Sequence, residues 1–283
     1  MKDKAVFFGM GYNFLKMILR IVHSTKIENP FKLTEKMTRN INIFLNYNDI
    51  LSQMIKLLTD LFFPNICPGC ANILMDNELV ICVACRHHLP LTNYHFKAPK
   101  EMNNTLIIRD TFKGATALFY FHKKGKVQQI LQHLKYKNQQ KIGTVLGQWL
   151  GAELKQCSAF MAVDLVIPVP VHSKRLKNRG YNQVSTFAKE IANSLGAAYS
   201  EHALTKVIHN KTQVFQSKKE RWRSVQHSFK LTNTVCVLNK NMLLVDDLIT
   251  TGSTVKACVQ NLNKGKPKSI SLATIAITDT VFH

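Results

Sequence analysis

Residues 242–258, MLLVDDLITTGSTVKAC, decide the fold class of this sequence. The apolar run at 243–245 is typical of a strand that is covered on both faces. We expect this strand to end near two adjacent carboxylates, Asp246 and Asp247. After Thr254 apolar residues recur at helical spacing, and a Ser or Thr is expected to cap the first helical turn. The segment therefore predicts a strand, a short polar loop and a helix.

The predicted loop has the chemistry of a phosphate site. A helix N-terminus offers unpaired backbone N–H groups and a positive dipole end. Hydroxyls that can donate to the same anion, and a glycine that lets the backbone approach it, occur at Thr250, Thr251, Gly252, Ser253 and Thr254. The two carboxylates need hydrogen-bond donors such as sugar hydroxyls, or a metal ion. A phosphorylated sugar suits both halves of the loop, and the alternative is an ordinary turn with a solvated acidic pair.

The order of these residues is specific. An apolar strand, two aspartates, two further residues and Thr-Thr-Gly-Ser-Thr follow one another. This order resembles the phosphoribosyl pyrophosphate (PRPP) signature of the type I phosphoribosyltransferases. The resemblance implies that Asp246 and Asp247 hold the ribose hydroxyls and that residues 250–254 bind the 5′-phosphate. The hydrophobic strand before the motif and the helical period after it favour this interpretation over a simple turn.

Length and charge bound the rest of the chain. Its 283 residues can hold one sizeable α/β domain and a smaller segment, and a hydrophobic content of 46% supports a buried core. The formal net charge of +21 exceeds what one phosphate site needs. The excess indicates a polyanionic partner, nucleic acid first, or else a lysine-rich solvated surface. Charge alone leaves both interpretations open.

Four of the seven cysteines lie in one segment with the pattern C-x2-C, eleven residues, C-x2-C: Cys67, Cys70, Cys82 and Cys85. Two such pairs complete the tetrahedral thiolate shell of a structural zinc ion. We expect zinc rather than disulfides, because a reducing cytosol would not keep disulfides formed. One or both of His87 and His88 are expected at the surface, and a ligand role for either is the weaker alternative. The three other cysteines are interpreted as small core residues: Cys157, Cys236 and Cys258.

Strands and helices are predicted to alternate along the rest of the chain. Helical periodicity covers about 127–134, 142–155 and 183–195, and strand patterns cover about 117–121 and 269–278. A buried strand is also predicted within 162–172, where Pro168 and Pro170 terminate it. A further short strand is predicted just after residue 104. Alternation of this kind predicts an α/β fold with a mostly parallel sheet and helices on both faces. In such a sheet the ligand binds at the carboxyl ends of the strands.

A second loop, residues 168–183 with the sequence PVPVHSKRLKNRGYNQ, follows another predicted strand end. Lys174, Arg175 and Arg179 would supply the cations that a pyrophosphate or a nucleic-acid backbone needs. The alternative is a solvated basic turn. We favour a binding role because residues 180–183, GYNQ, add a turn and polar groups for which the sequence suggests no packing purpose.

The motifs taken together are similar to those of the ComF/GntX family of competence-associated, phosphoribosyltransferase-like proteins. They are CPGC and CVAC, LKYK, PVPVHSKRLKNRGYNQ, TQVFQSKKERWRSVQHSF and LLVDDLITTGST, and they run from about residue 55 to the end. Ser224 departs from the pattern, since the family usually has Asn there. The resemblance implies a type I phosphoribosyltransferase-like domain preceded by a small zinc-ribbon-like segment. It also implies a link to uptake of single-stranded DNA during natural transformation.

Two functions are consistent with these predictions. In one, the protein transfers ribose 5-phosphate from magnesium-bound PRPP to an unidentified acceptor, and the basic loop stabilises the departing pyrophosphate. In the other, which we favour, the fold serves as a nucleic-acid module in which Tyr136, Tyr181 or Trp222 stacks on bases. DNA-uptake or helicase-type proteins are the expected protein partners. Whether the protein is an enzyme is left open by the sequence.

Three segments are predicted: an N-terminal extension at 1–53, a zinc-binding segment at 54–95 and a phosphoribosyltransferase-like domain at 96–283. The extension is amphipathic and basic, and its alternatives are a poorly ordered tail, a membrane-surface or partner-binding helix, or a chain start at Met54. No apolar run approaches the ~20 residues of a membrane span, and no secretory signal is recognised. We therefore expect a cytoplasmic protein.

Overall fold

The computed structural model describes Met54 and residues 61–97, 112–136, 139–207 and 228–278. The chain forms two compact units, Met1–Pro64 and Asn65–His283. In the first unit only Met54 and residues 61–64 are described, and their large apolar side chains are exposed. The predicted extension, the strand expected after residue 104 and the stacking candidate Trp222 lie outside the described residues.

Seven strands and eight helices are described in the second unit. The strands are β1 Ala115–Phe121, β2 Leu165–Pro168, β3 Ala198–Tyr199, β4 Leu204–Lys206, β5 Phe229–Leu231, β6 Asn241–Ile249 and β7 Ser269–Thr278. The helices are α1 Val83–His88, α2 Tyr94–Lys97, α3 Lys126–Tyr136, α4 Gln140–Leu154, α5 Ser158–Met161, α6 Ser173–Arg179, α7 Ser185–Leu195 and α8 Ser253–Leu262.

The strands form a five-stranded sheet in the order β1-β7-β6-β2-β3, and each neighbouring pair is parallel. A separate antiparallel pair joins β4 to β5. The central strands β6 and β7 carry long apolar runs, as expected for strands buried on both faces. The α/β class with a mostly parallel sheet is therefore confirmed.

The two faces of β6 pack against different layers, because successive side chains of a strand point in opposite directions. Leu243 and Val245 belong to one core cluster, together with buried residues of α3, α4 and α7. Met242 and Leu244 belong to a second cluster, together with α8, β4 and β5. Helices on both faces of the sheet are thus confirmed, and the site at the end of β6 lies between two cores.

Helices α4 and α7 approach one another closely at three glycines spaced four residues apart. A Cβ atom at Gly147 would lie 2.5 Å from the Phe187 carbonyl oxygen, and one at Gly143 or Gly151 would meet the side chain of Thr186 or Ser194. Residues four apart share one helix face. This close packing fixes α7, whose first turn follows the basic loop directly.

The predicted helices are confirmed with small shifts at their ends, as α3, α4 and α7, and the last strand is confirmed over 269–278. The predicted end of β6 near the aspartates is wrong. The strand continues to Ile249 because Leu248 and Ile249 pair with Ala276 and Ile277 of β7. The helix α6 inside the basic loop was not predicted, and none of its residues is buried.

The cysteine segment shares its core with the sheet domain. Cys67, Cys82 and Cys85 belong to the same hydrophobic cluster as the buried face of α3. A Cβ atom at Gly69 would lie 3.7 Å from the Ile130 Cδ1 atom of that helix. The segment is therefore packed against the larger core.

Candidate functional site

The acidic pair lies in the carboxyl-terminal half of β6, and each of the two residues is 7% exposed. Because the two residues are adjacent in a strand, Asp246 shares the face of Met242 and Leu244, whereas Asp247 shares the opposite face. The Asp247 backbone N–H donates to Asp246 Oδ1 at 2.8 Å, and the Leu248 N–H donates to Asp247 Oδ1 at 2.9 Å. The carboxylates thus face different surroundings.

Asp247 has a positively charged partner. Lys135 Nζ, in the last turn of α3, lies 2.5 Å from Asp247 Oδ2. Gln183 Nε2 donates to the same carboxylate oxygen at 3.3 Å, and Arg179 donates to Gln183 Oε1. Asp247 is therefore connected through Gln183 to the basic loop after β2.

The negative charge of the buried Asp246 carboxylate is offset less by nearby positive charge than that of Asp247. Burial raises the pKa of Asp246 well above its ordinary value, and repulsion from Asp247 raises the pKa further, while Lys135 opposes both effects. On the same face, burial lowers the pKa of Lys206, and attraction to Asp246 acts in the opposite direction. A carboxylate in this position would be stabilised in its charged form by a cation or by hydroxyl donors.

The loop after β6 leads into α8 without the side-chain cap that the sequence predicts. Gly252 is the N-cap residue, with a φ of +74°, and it has no side chain that could cap the first turn. Thr251 Oγ1 accepts weakly from the Ser253 N–H at 3.5 Å and donates to Ser253 Oγ at 3.1 Å. Thr250 and Thr251 are exposed. The start of α8 thus keeps backbone donors and hydroxyls available for an anion.

The basic loop forms the helix α6 and one wall of a cavity. His172 Nδ1 accepts from the Lys174 N–H at 3.1 Å and caps the helix, which ends at Gly180 with a φ of +81°. Arg175 and Arg179, four residues apart, share one helix face. The cavity has a volume of about 480 Å³ and is lined by Lys135, Tyr136, Arg175, Asn178, Arg179 and Tyr181. Of the three predicted cations, Lys174 is not among these lining residues.

Residues 180–183 have structural roles that the sequence did not suggest. Tyr181 donates its hydroxyl proton to the Leu134 carbonyl at 2.6 Å, which holds the loop against the end of α3. Asn182 Nδ2 donates to the Val169 carbonyl at 3.0 Å. The interpretation that these residues lack a packing purpose is wrong, and their packing is what brings Arg179 and Gln183 toward Asp247.

The structure describes two of the stacking candidates, Tyr136 and Tyr181. Of these two, Tyr136 is the widely exposed one, at 77%. The Arg179 guanidinium lies 5.5 Å from the centre of its ring. Lys135, beside it, received no role from the sequence beyond its place in the LKYK motif. No local pattern could have revealed its role, because Asp247 belongs to a distant part of the chain.

The four predicted metal ligands come together. The Sγ atoms of the cluster lie within 4.8 Å of one another: Cys67, Cys70, Cys82 and Cys85. Cys70 Sγ and Cys82 Sγ are 3.7 Å apart, close to the edge of about 3.8 Å that a tetrahedron with metal–sulfur bonds of about 2.3 Å requires. All four are free thiols. The donor set can therefore hold one metal ion in a closed shell.

The thiols differ in acidity because their surroundings differ. For Cys67, burial raises the pKa, but backbone N–H groups of Cys82, Gly69 and Cys70 outweigh it and lower the pKa to about 7. Burial raises the pKa of Cys82 and of Cys85. A metal ion would offset the cost of holding these thiols as thiolates.

The other cysteines and the two histidines agree with the predictions in most cases. His87 and His88 are exposed, as expected. Cys157 and Cys258 are buried core residues, which confirms their interpretation. Cys236 is half-buried in a turn and packs against the second core cluster, so it lies at the edge of the core.

A family model described as "Phosphoribosyl transferase domain" matches residues 184–279. The DNA utilization protein YhgH of Salmonella typhimurium is 31% identical over 136 residues, which cover 47% of this chain and 59% of that protein. Competence protein F of Haemophilus influenzae is 29% identical over 144 residues, covering 48% and 61%. The chain thus matches about three fifths of the length of these relatives.

Among solved structures, the allosteric regulatory enzyme of purine biosynthesis overlaps 51% of this chain and 30% of its own, with 22% identity and a TM-score of 0.36. A hypoxanthine phosphoribosyltransferase from Staphylococcus aureus overlaps 53% and 72%, with 16% identity and a TM-score of 0.33. The family match over residues 184–279 and the parallel sheet agree on a phosphoribosyltransferase-like fold for the sheet domain. The two named relatives support the ComF/GntX family that the motifs predict.

No helix in the described ranges is both long and apolar enough to span a membrane.

Proposed function

We propose that the protein is a ComF-type, phosphoribosyltransferase-like protein that acts in DNA uptake during natural transformation. It binds single-stranded DNA through a basic surface and retains a site for PRPP or another phosphorylated ligand. The names of its relatives, a DNA utilization protein and a competence protein, support this role. A cytoplasmic location and DNA-uptake or helicase-type partners belong to the same proposal.

One observation carries the proposal: a basic cavity with an exposed aromatic ring lies next to the buried acidic pair. Lys135, Arg175 and Arg179 line the cavity, and Tyr136 presents a ring to it. Single-stranded nucleic acid is typically bound by cations along its backbone and by aromatic rings that stack on its bases. The cavity offers both kinds of group, and the net charge of +21 favours association with a polyanion.

The sugar-phosphate part of the proposal rests on the end of β6. Asp246 and Asp247 would accept hydrogen bonds from ribose hydroxyls, and the start of α8 would bind the 5′-phosphate. Magnesium would accompany PRPP and offset the repulsion between the buried carboxylates. The residues involved in the phosphate contact are Thr250, Thr251, Gly252, Ser253 and Thr254.

The second candidate function is catalytic transfer of ribose 5-phosphate from PRPP to an unidentified acceptor. It is supported by the buried, closely spaced acids, which would stabilise positive charge that develops at the anomeric carbon. In this function Lys174, Arg175 and Arg179 would stabilise the departing pyrophosphate. The acceptor is unassigned in either case.

We further propose that the cysteine cluster binds a structural zinc ion. Four thiolates complete the tetrahedral shell, which leaves no position for water or substrate. The zinc ion would therefore stabilise the segment rather than take part in a reaction.

The proposal is tested by titrating the purified full chain with magnesium PRPP by calorimetry and with labelled single-stranded DNA by fluorescence anisotropy at several salt concentrations. DNA binding that weakens linearly with log salt would support the nucleic-acid role. Heat from PRPP would support the retained sugar-phosphate site, and product formation with a panel of bases would favour the catalytic alternative. A chain that binds neither ligand would overturn the proposal.

A further inference from the structure

Lys135 occupies two environments at once. Its Nζ lies 2.5 Å from Asp247 Oδ2, and its side chain also lines the basic cavity. The side chain is 23% exposed, whereas that of Asp247 is 10% exposed. The lysine thus stands at the boundary between the buried carboxylate and the open cavity.

The position of Lys135 is fixed by contacts on both sides. Tyr181 donates to the carbonyl of Leu134, which precedes it, so the end of α3 is tied to the loop after α6. From the same loop Gln183 donates to Asp247, and Arg179 donates to Gln183. A continuous chain of polar contacts therefore joins the acidic pair to the cavity.

The charges in this network are unequal. Three cations line the cavity, and Asp247 is the one carboxylate that the described residues show in contact with any of them. The cavity thus keeps an excess of positive charge while one of its lysines is neutralised by an acid. A ligand that brings negative charge to the cavity and also occupies Asp247 would release Lys135 without leaving either group unpaired.

We propose that Lys135 exchanges partners when ligand binds: it neutralises Asp247 in the free protein and turns to a diphosphate oxygen when ribose hydroxyls or magnesium occupy that carboxylate. The inference rests on the proposed sugar-phosphate site and deepens it. The diphosphate-bearing sugar of the proposed site suits this exchange, because such a ligand supplies hydroxyls to Asp247 and anionic oxygens to the cavity. Binding of the two halves is then coupled through one side chain.

The test uses the full chain and two probes, magnesium pyrophosphate and magnesium PRPP, titrated by calorimetry. Lys135→Ala should weaken PRPP binding about tenfold or more, the effect of losing one charge-assisted hydrogen bond. Lys135→Arg should retain most of the affinity. The matched control is Lys155→Ala, which removes the same charge from an exposed residue just after the last residue of α4. Helix α4 begins at Gln140, shortly after Lys135 in the chain, and its 15 residues place Lys155 roughly 22 Å from that beginning.

A double variant separates ligand contact from simple neutralisation of Asp247. If Lys135 touches the diphosphate, Lys135→Ala should weaken magnesium pyrophosphate binding even in an Asp247→Asn background, where no buried charge needs a partner. Equal affinities of Asp247→Asn and the double variant would overturn the exchange. Lys135→Gln, which keeps the stem and a donor, replaces the alanine variant if thermal unfolding shows that the alanine variant is not folded.

The outcome also separates this inference from the proposed site. A wild-type chain that binds neither probe would overturn the sugar-phosphate site itself, and the exchange with it. A wild-type chain that binds both probes, with Lys135→Ala equal to Lys155→Ala, would leave the site standing and remove Lys135 from it.

Discussion

The cysteine cluster and the carboxyl edge of the sheet both gather reactive groups, but they do so in opposite ways. In the cluster three of the four cysteines are buried, all four sulfurs converge, and a single ion would satisfy the whole set. At the edge, two carboxylates point to different faces, and cations line an open cavity beside them. A closed donor set is suited to stability, whereas an open and charge-unbalanced one is suited to binding.

The largest effect is expected at the closed site. Cys67→Ser or Cys82→Ser should remove a ligand from a shell that also belongs to the main core, so the metal should be lost and the protein should become less soluble. Metal analysis of the wild-type chain should give about one zinc ion per chain. Cys236→Ser is the control, because this half-buried thiol lies outside the cluster and should leave zinc content unchanged.

Full zinc retention in both ligand variants would contradict the assignment of the cluster. Loss of zinc with unchanged solubility and thermal unfolding would instead contradict the view that the closed site serves stability. In that case the shared core, rather than the ion, would stabilise the segment.

The second effect concerns the open site. Asp246→Asn combined with Asp247→Asn should lower PRPP affinity at least about a hundredfold, because each charge-assisted hydrogen bond contributes about 1.5 to 3 kcal/mol. Single-stranded DNA binding should survive or tighten, since two repelling anions are gone. Calorimetry with PRPP and anisotropy with DNA measure the two effects on the same preparation.

Asp164→Asn is the control for that experiment, because this exposed acid lies at the amino end of β2, away from the carboxyl edge. If DNA binding disappears in the double aspartate variant while the fold persists, the two ligands share the acidic pair. The division of the edge into a sugar site and a nucleic-acid surface would then be wrong.

The third effect is electrostatic and more moderate. Replacing Lys174, Arg175 and Arg179 by Ala should flatten the slope of log DNA affinity against log salt by about 0.7 for each lost contact, or about two units for three. The position of Lys174 outside the cavity lining sharpens the expectation. Arg175→Ala and Arg179→Ala should each change the slope more than Lys174→Ala does.

A control with the same total charge replaces three exposed lysines away from the cavity: Lys155, Lys240 and Lys268. Lys240 and Lys268 directly precede the amino ends of β6 and β7. Equal slopes for the two triple variants would mean that net charge, and not this cavity, determines DNA binding.

The sequence predicted the parts of the molecule that depend on local patterns. The apolar periodicity of α3, α4, α7 and β7 is carried by neighbouring residues, so these elements were found. Helix α6 buries none of its residues, so no apolar stripe could indicate it. The end of β6 was missed because pairing with β7 carries the strand through two polar residues.

The candidate site divides in the same way. The acidic pair, the hydroxyl loop and the cysteines were found from spacing within short motifs. The contact between Lys135 and Asp247 joins α3 to β6, and the contact between Tyr181 and Leu134 joins the loop after α6 to α3. The partners of each contact are distant in sequence. Such contacts depend on the topology of the sheet, which periodicity cannot supply.

The smallest expected effect is on the stability of the folded chain. It tests whether the buried Asp246 carboxylate of the open site lacks enough nearby positive charge. The pKa of Asp246 is raised in the folded protein, so folding favours the protonated acid, and stability is lost as pH rises above its ordinary value of 3.8. Asp246→Asn should therefore stabilise the chain near neutral pH, by about 1 to 3 kcal/mol, the penalty of a poorly compensated buried polar group. Near pH 4 the gain should shrink.

Asp164 provides a control of opposite sign. Its carboxylate accepts from the Asn241 N–H at 2.8 Å, and this hydrogen bond lowers the pKa of Asp164. That acid stabilises the fold above its unfolded pKa, and the contribution is lost as pH falls. Asp164→Asn should therefore destabilise the chain at neutral pH, and thermal unfolding of both variants across pH 4 to 8 measures the contrast. Destabilisation by Asp246→Asn at neutral pH would mean that the charged acid is well compensated in the free protein, and the open site would then be as balanced as the closed one.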